Sequence, residues 1–357
     1  MDPRDRILEL ARGEGFDLVR FASAEPLLAA RAVAQDARGE GNLEGLSWMT
    51  GEWIDRATDP GRFLEGARTV VLLALAYHHR DPERPGDQAR GRVARYARGR
   101  DYHRVFEKKL RRIARAIREE LGAAARPTVD YGPLLERPLA AASGMGWLGK
   151  STMLLVPGAG PWVLLGAVAT SLDIAPDGSL AKSCGACTRC IVACPTGAIA
   201  PDGHLVDARR CISYHTIVNR GAIPRDLRPL FGDWVFGCDA CQEACPHAQP
   251  TRRSRRAGVH EAYAPHRSAF PLLELLGWNQ QRWEAARLNG VLARVGPAGW
   301  RRNAALACIG ALADPGLDAG LREALLARLH ALAASMDEPP AVRQAAQQAI
   351  DSTRAAR

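Results

Sequence analysis

Four cysteines in one short stretch, Cys184-x2-Cys187-x2-Cys190-x3-Cys194 followed by Pro195, constrain this chain more than any other part of its 357 residues. The spacing is that of bacterial proteins that hold two [4Fe-4S] clusters, where three thiolates on a tight loop take one cubane and the fourth ligates the other. A second set, Cys211, Cys238, Cys241 and Cys245 before Pro246, reads as the same motif with its first cysteine displaced by an insertion. Eight thiolates satisfy two cubanes. The crossing rule assigns Cys184, Cys187, Cys190 and Cys245 to one cluster, and Cys194, Cys211, Cys238 and Cys241 to the other. Structural zinc is the main alternative, although a third cysteine two residues beyond a C-x2-C pair suits paired knuckles poorly. A disulfide framework would need an oxidising compartment, which nothing in the sequence indicates. Cys308, the ninth, lies in "NAALACIGALA" and reads as a small buried hydrophobe on a helix.

The cluster segment accounts for only part of the chain, whose length suits two or three domains. No run of 18 or more apolar residues occurs, and the N-terminus mixes acids and bases at helical spacing, unlike a signal peptide. The expectation is a soluble, cytoplasmic protein without a membrane partner, acting as a monomer. Lys and Arg outnumber Asp and Glu by 48 to 39. The excess is concentrated between Thr251 and Asn303, where ten arginines face three glutamates. A solvated surface explains such a run as readily as a polyanionic partner does.

Hydrophobic periodicity divides the chain in three. Up to about residue 175, strands such as "ARTVVLLALAYHH" (67–79), apolar on both faces, alternate with helices such as "DYHRVFEKKLRRIARAIREEL" (101–121). "TMLLVPGAGPWVLLGAVAT" reads as two strands joined by a Pro/Gly turn, and "PTVDYGP" as another strand. The mixture predicts an α+β or α/β fold with a sheet that is not a simple parallel repeat. Residues 176–250 show little periodicity, so metal ligation must replace the missing core. From about 265 the pattern is helical, with "DPG" and "DEPP" breaks suggesting stacked helical hairpins of the HEAT type.

"GMGWLGKS" (144–151) satisfies both the Walker A string and the G-x-G-x-x-G fingerprint. Both mechanisms need a strand before the loop and a helix after it, because the phosphate sits on that helix N-terminus. Here a helical "LLERPLAAAS" precedes the glycines and a β-prone "TMLLV" follows, so a nucleotide loop is rejected. Gly149 still allows close backbone approach, and Lys150 can still meet an anion.

"RYARGRDYH" (95–103), "VDYGPLLERPLAAASGMGWLGKST" (129–152), the two cysteine motifs and the "RRN" opening a helix at 301 together resemble the epoxyqueuosine reductase family. The resemblance covers nearly the whole chain. It implies an α+β multidomain fold: a flavin-reductase-like cobalamin-binding domain over 1–175, a ferredoxin-like domain with two [4Fe-4S] clusters over 176–250, and a basic linker with a HEAT-like helical domain for tRNA over 251–357. It also implies reduction of epoxyqueuosine to queuosine at the wobble position of tRNA with a GUN anticodon. Electrons would come from an external one-electron donor, flavodoxin- or ferredoxin-like, through the clusters to cobalamin. Asp130 falls on the family's proton donor, and such a role requires burial to raise a carboxyl normally near 3.9. Without the resemblance, Asp130 is equally a turn-forming residue before "YGP". Tyr96, Asp101, Tyr102 and His103 carry over as corrin or substrate contacts. Glu136 and Arg137 are expected to orient Asp130 or the substrate, against an ordinary surface pair. Gly149, Lys150 and Ser151 carry over as cofactor contacts, with Ser151 a departure, because the family often has Asn there. His103 is expected to pack or cap rather than ligate cobalt. Arg252, Arg253, Arg301, Arg302 and Asn303 are the expected tRNA contacts. A corrinoid reductase of organohalides and a ferredoxin-like electron-transfer protein are the competing functions.

Overall fold

The computed structural model describes residues 1–79, 89–248, 260–286 and 290–355. The N-terminal half carries α1 (Pro3–Gly13), β1 (Leu18–Ser23), α2 (Leu28–Gly39), α3 (Gly51–Ala57), α4 (Pro60–Phe63), β2 (Thr69–Ala76) and β3 (Arg90–Val93). It continues with α5 (Tyr102–Glu120), β4 (Ala125–Thr128), α6 (Glu136–Ala142), β5 (Trp147–Leu148), β6 (Leu154–Leu155) and β7 (Val163–Thr170). Local chemistry starts these helices: Asp2 accepts the Arg4 backbone N–H ahead of Pro3, and Asp101 caps α5 through the His103 N–H.

The main sheet has the order β1-β2-β7-β4 and is antiparallel throughout, with Leu18 opposite Ala74 and Thr69 opposite Thr170. β2 is apolar on both faces because both are covered. Val71, Leu73 and Leu75 join Phe106, Leu110 and Ile113 of α5 in one core, while Val70, Leu72 and Ala74 join Leu139 and Ala140 of α6 in another. Gly166 on β7 permits this closeness, since a Cβ there would lie 2.6 Å from the Phe106 ring. The expected hairpin over 152–170 does not form. β6 pairs with β5 (Trp147 opposite Leu155), whereas β7, long enough to span the sheet, is taken on both edges by β2 and β4. The strand expected in "PTVDYGP" ends at Thr128, before the aspartate.

The cysteine segment holds only short helices, α7 (Arg189–Val192), α8 (Ile212–Ile217) and α9 (Ala240–Glu243), with β8 (Trp234–Phe236). β9 (Ala269–Pro271) then leads into α10 (Leu272–Leu276), α11 (Gln280–Ala285), α12 (Pro297–Ala313), α13 (Ala319–Ala334) and α14 (Pro340–Ala355). The three sequence regions share structure. A small sheet, β8-β3-β9, takes one strand from each, and one core runs from Ile7 to Ile350. Cys308 is fully buried in it. Among the described residues, no helix is long and apolar enough to cross a membrane.

Candidate active site and cluster cysteines

A cleft of about 420 Å³ opens where the main sheet, the cysteine segment and the helical third meet. Tyr77, Tyr96, Tyr102, Met153, Leu164 and Leu165 give it an aromatic and aliphatic wall, and Asp130, Glu136, Arg137, Ser151 and Arg294 its polar rim. Cys194, Cys211, Cys238 and Cys241 also line it, and none of the other four cluster-motif cysteines does.

Proximity sorts the thiols into two groups. Cys190 lies within electrostatic reach of Cys184 and Cys245, and Cys245 of Cys184 and Cys187. Cys211 neighbours Cys194, Cys238 neighbours Cys241 and Cys211, and Cys241 neighbours Cys211 and Cys194 most strongly, with Cys190 of the first group also within reach. Burial pushes the Cys241 thiol up to about 12, so as a free thiol it keeps its proton near neutrality, and a metal that binds the sulfur displaces that proton. Among the described residues, no three His, Cys, Asp or Glu side chains converge on a point where a single ion would sit. The Cys184 end is solvent-facing, with Ser183, Gly185 and Ala186 exposed on either side of it.

Asp130 follows β4 at a φ of +45°, left-handed backbone that Asp tolerates better than most residues. Its Oδ2 lies 3.1 Å from His103 Nε2, and its own backbone N–H donates to Glu136 Oε1 at 2.9 Å. His103 Nδ1–H donates to Asp101 Oδ1 at 2.8 Å. Desolvation pushes the Asp130 carboxyl up, but the His103 and Tyr102 hydrogen bonds and the charges of His103 and Arg294 outweigh it, and the net shift is downward. This corrects the expectation of a carboxyl raised by burial: the side chain is 48% exposed toward the cleft and surrounded by donors. For His103, burial favours the neutral ring, yet the bonds to Asp130 and Asp101 prevail and raise it. Glu136 is the raised acid instead, pushed up to about 8 by burial and by the Asp130 charge.

Arg294, from the "VLARVG" turn, places Nη2 3.1 Å from His103 Nε2. Sequence reasoning counted it in the basic run without singling it out, since no spacing ties it to Asp130. Its approach depends on Gly290, at a φ of +57°, where a Cβ would lie 2.2 Å from Asp101 Cβ. Tyr77 was likewise unmarked, being only the aromatic end of an apolar strand.

The structure brings Tyr96, Tyr102, Asp130, Arg137 and Ser151 to the cleft wall. Arg137 Nη1 donates to the Thr152 carbonyl at 3.3 Å, which ties the polar rim together. Asp101 and His103 stand behind Asp130 rather than on the wall. Gly149 and Lys150 lie in the turn behind Ser151: the Gly149 N–H donates to the Met153 carbonyl, and the Lys150 carbonyl accepts the His204 N–H. The motif's order is helix α6 before and strand β6 after, opposite to a phosphate loop.

The expected tRNA contacts at the start of α12 are corrected. Arg302 is 3% exposed, and its guanidinium donates to the carbonyls of His215, Asn219 and Gly221 and to Asn303 Oδ1. Asn303 is fully buried and donates to the Thr216 and Val235 carbonyls. Arg301 pairs with Glu338 at 2.7 Å and donates to the Trp278 carbonyl. These side chains are spent on fixing α12 against α8, β8, the end of α10 and the turn before α14, so they are not free to grip phosphates. Arg252 and Arg253 lie outside the described residues.

A family model described as 4Fe-4S double cluster binding domain matches residues 183–248, and one described as epoxyqueuosine reductase QueG, DUF1730 matches residues 57–131. The chain is 36% identical over 308 residues to the epoxyqueuosine reductase of a Synechococcus species, covering 83% of this chain and 92% of that one. It is 36% identical over 314 residues to that of Xanthomonas campestris, covering 85% and 87%. A crystal structure of epoxyqueuosine reductase with an epoxyqueuosine-modified tRNA-Tyr stem loop superposes with a TM-score of 0.85 at 27% identity, over 98% of this chain and 90% of that one. The Bacillus subtilis epoxyqueuosine reductase, solved with a catalytic aspartate loop swung out of its active site, matches with the same score, identity and coverage.

Proposed function

The chain belongs to the epoxyqueuosine reductase family, and from that premise we propose that it reduces the epoxide of epoxyqueuosine in tRNA to the alkene of queuosine within the cleft above. The observation that carries this reading is the convergence on one cavity of a half-exposed, donor-surrounded aspartate, an aromatic and aliphatic wall and one complete set of four cluster cysteines.

Two [4Fe-4S] clusters fit the donor sets. Cys184, Cys187, Cys190 and Cys245 would hold the outer one, and Cys194, Cys211, Cys238 and Cys241 the one beside the cleft, a reading supported by the grouping of the thiols. The exposed Cys184 end would receive electrons from a flavodoxin- or ferredoxin-like donor. The apolar face of the corrin ring of a cobalamin would lie against Tyr77, Tyr96, Tyr102, Met153 and Leu165, with Arg137 and Ser151 at hand for its amide-bearing edge. Removing an epoxide oxygen takes two electrons and two protons, and the bound metal groups supply the electrons, which no side chain can.

The chain's own residues supply shape and protons. The tyrosines and leucines exclude water from the reacting face, while Asp130, presented by its left-handed backbone, reaches the departing oxygen as its acid. We read residues 1–175 as the cobalamin-binding part, 176–250 as the ferredoxin-like part and 251–357 as a HEAT-like helical part that engages tRNA. An unpaired anticodon base can enter such a cleft at the cost of unstacking, a few kcal/mol. The wobble base of GUN anticodons is the expected one. The deciding test is incubation of the reconstituted, reduced protein with tRNA bearing epoxyqueuosine, followed by nucleoside analysis. Appearance of queuosine supports the reading, and unchanged epoxyqueuosine with both cofactors bound overturns it.

A further inference from the structure

We propose that His103, oriented by Asp101, holds the proton that Asp130 passes to the substrate's departing oxygen, so that His103 is a positioning and proton-supplying residue and the pair acts as one acid. The proposal rests on the reading of Asp130 as the acid of the cleft.

The geometry follows from a helix start. Asp101 is the N-cap of α5 and His103 the second residue of that helix, so Asp101 Oδ1 takes both the His103 backbone N–H at 3.1 Å and its Nδ1–H at 2.8 Å. A carboxylate only accepts, so Nδ1 keeps its hydrogen and Nε2, 3.1 Å from Asp130 Oδ2, is the nitrogen free to exchange one. The ring is clasped between Tyr102 and Tyr131, with centroids 4.0 and 5.6 Å away. It is 7% exposed, whereas the Asp130 side chain faces the cleft.

An aspartate among donors needs such a partner. Tyr102 and His103 both hydrogen-bond to Asp130 and stabilise its ionised form, so near neutrality it carries no proton of its own to give. Burial works against charge on His103, but its bonds to Asp130 and Asp101 favour the imidazolium. Arg294, 3.1 Å from the same Nε2, opposes a proton there, which favours its movement to Oδ2 when Asp130 spends one. Glu136, at the Asp130 backbone N–H, Tyr96, on the cleft wall, and Arg104, 4.0 Å from Asp101 Oδ2, are the other titratable groups beside it. In the step, the Nε2–H bond breaks as Oδ2–H forms, and Oδ2–H passes to the substrate oxygen as the first of its two C–O bonds breaks; a second proton by the same path, after the ring is refilled, lets the oxygen leave as water as the second C–O bond breaks and the alkene forms. The electron pair comes from the reduced cofactor, refilled by the external one-electron donor. Neither side chain changes oxidation state, and the neutral imidazole is reprotonated from solvent.

The test uses the reduced holoenzyme with an epoxyqueuosine-bearing tRNA stem loop in single turnover across pH. His103→Gln can still hydrogen-bond to Asp130 but carries no mobile proton. It should lose about 10²-fold at neutral pH and move its alkaline limb about one unit or more toward acid, with unchanged tRNA affinity. Asp101→Asn should shift the limb in the same direction by less. Independently of turnover, NMR of histidine-labelled protein should show the His103 ring titrating above free histidine, and Asp130→Asn should bring it down. A His103→Gln enzyme with the wild-type limb and a rate within about twofold overturns the proposal alone, as does a His103 ring indifferent to Asp130→Asn. Normal turnover by Asp130→Asn would sink the acid reading itself, together with this proposal.

Discussion

Asp130 sits at +45° in φ, and positions of this kind cost on the order of 1–3 kcal/mol unless the surroundings hold them. Here the holding groups are the Glu136 carboxyl at its N–H and the His103 ring at its Oδ2, the same groups that set its proton. Asparagine tolerates this backbone and keeps the shape, so Asp130→Asn should bind both clusters and the corrin normally while single-turnover product formation falls by about 10²–10⁴-fold. Glu136 makes a separate prediction through stability. Burial and the Asp130 charge raise it from 4.5 to about 8 in the folded chain, so between those values the native state binds a proton that the unfolded state has released. Its contribution is therefore fully present at low pH and is lost as pH rises toward 8. Glu136→Gln, which cannot ionise, should gain on the wild type progressively from about pH 5 to about pH 8 in denaturant midpoints. A difference that stays flat with pH would show that Glu136 is ionised in the folded protein.

At the scale of the element, α12 is the clamp of the molecule. Trp300 stacks on Phe236 of β8 with centroids 5.6 Å apart, and packs against Phe270 and Trp278 at 5.4 Å. Beside it, Arg302 donates to the buried His215 carbonyl and the buried Asn303 Oδ1, and also to the Asn219 and Gly221 carbonyls nearer the surface. Leaving a buried acceptor unpaired costs about 1–3 kcal/mol, so Arg302→Ala should lower stability by several kcal/mol. Any loss of tRNA binding in that variant should track unfolding measured by circular dichroism, and the salt slope of the protein that remains folded should match wild type. A stable variant with a flattened slope would return Arg302 to the phosphate-binding surface. The "RRN" string is legible as a signature, but its meaning depends on which way the helix faces, and sequence leaves that open.

Over the whole molecule, the cysteine segment joins its two motifs across a long insertion, so ligands distant in sequence become neighbours. Cys245→Ala should therefore damage the cluster of Cys184, Cys187 and Cys190, read by iron content and EPR, while the cleft-side cluster survives. Damage confined to the cleft-side cluster would reverse the assignment. The cysteine spacing alone pointed to two clusters, in agreement with the 4Fe-4S double cluster family match over residues 183–248, and it is also the source of the crossed ligation we propose, because tight loops restrict which thiolates can share a cubane. The apolar strand "TVVLLALA" likewise announced a sheet covered on both faces, and "DYHRVFEKKLRRIARAIREEL" a long helix, since both follow from short-range periodicity. Tertiary structure decided the rest. It chose β2 and β4 over β6 as partners for β7, turned Arg302 and Asn303 inward, and brought Arg294 to His103 across 191 residues of chain. Strand partners, the facing of a helix and a charge delivered from afar depend on how separate surfaces pack, and those energies belong to pairs of elements that no local pattern contains.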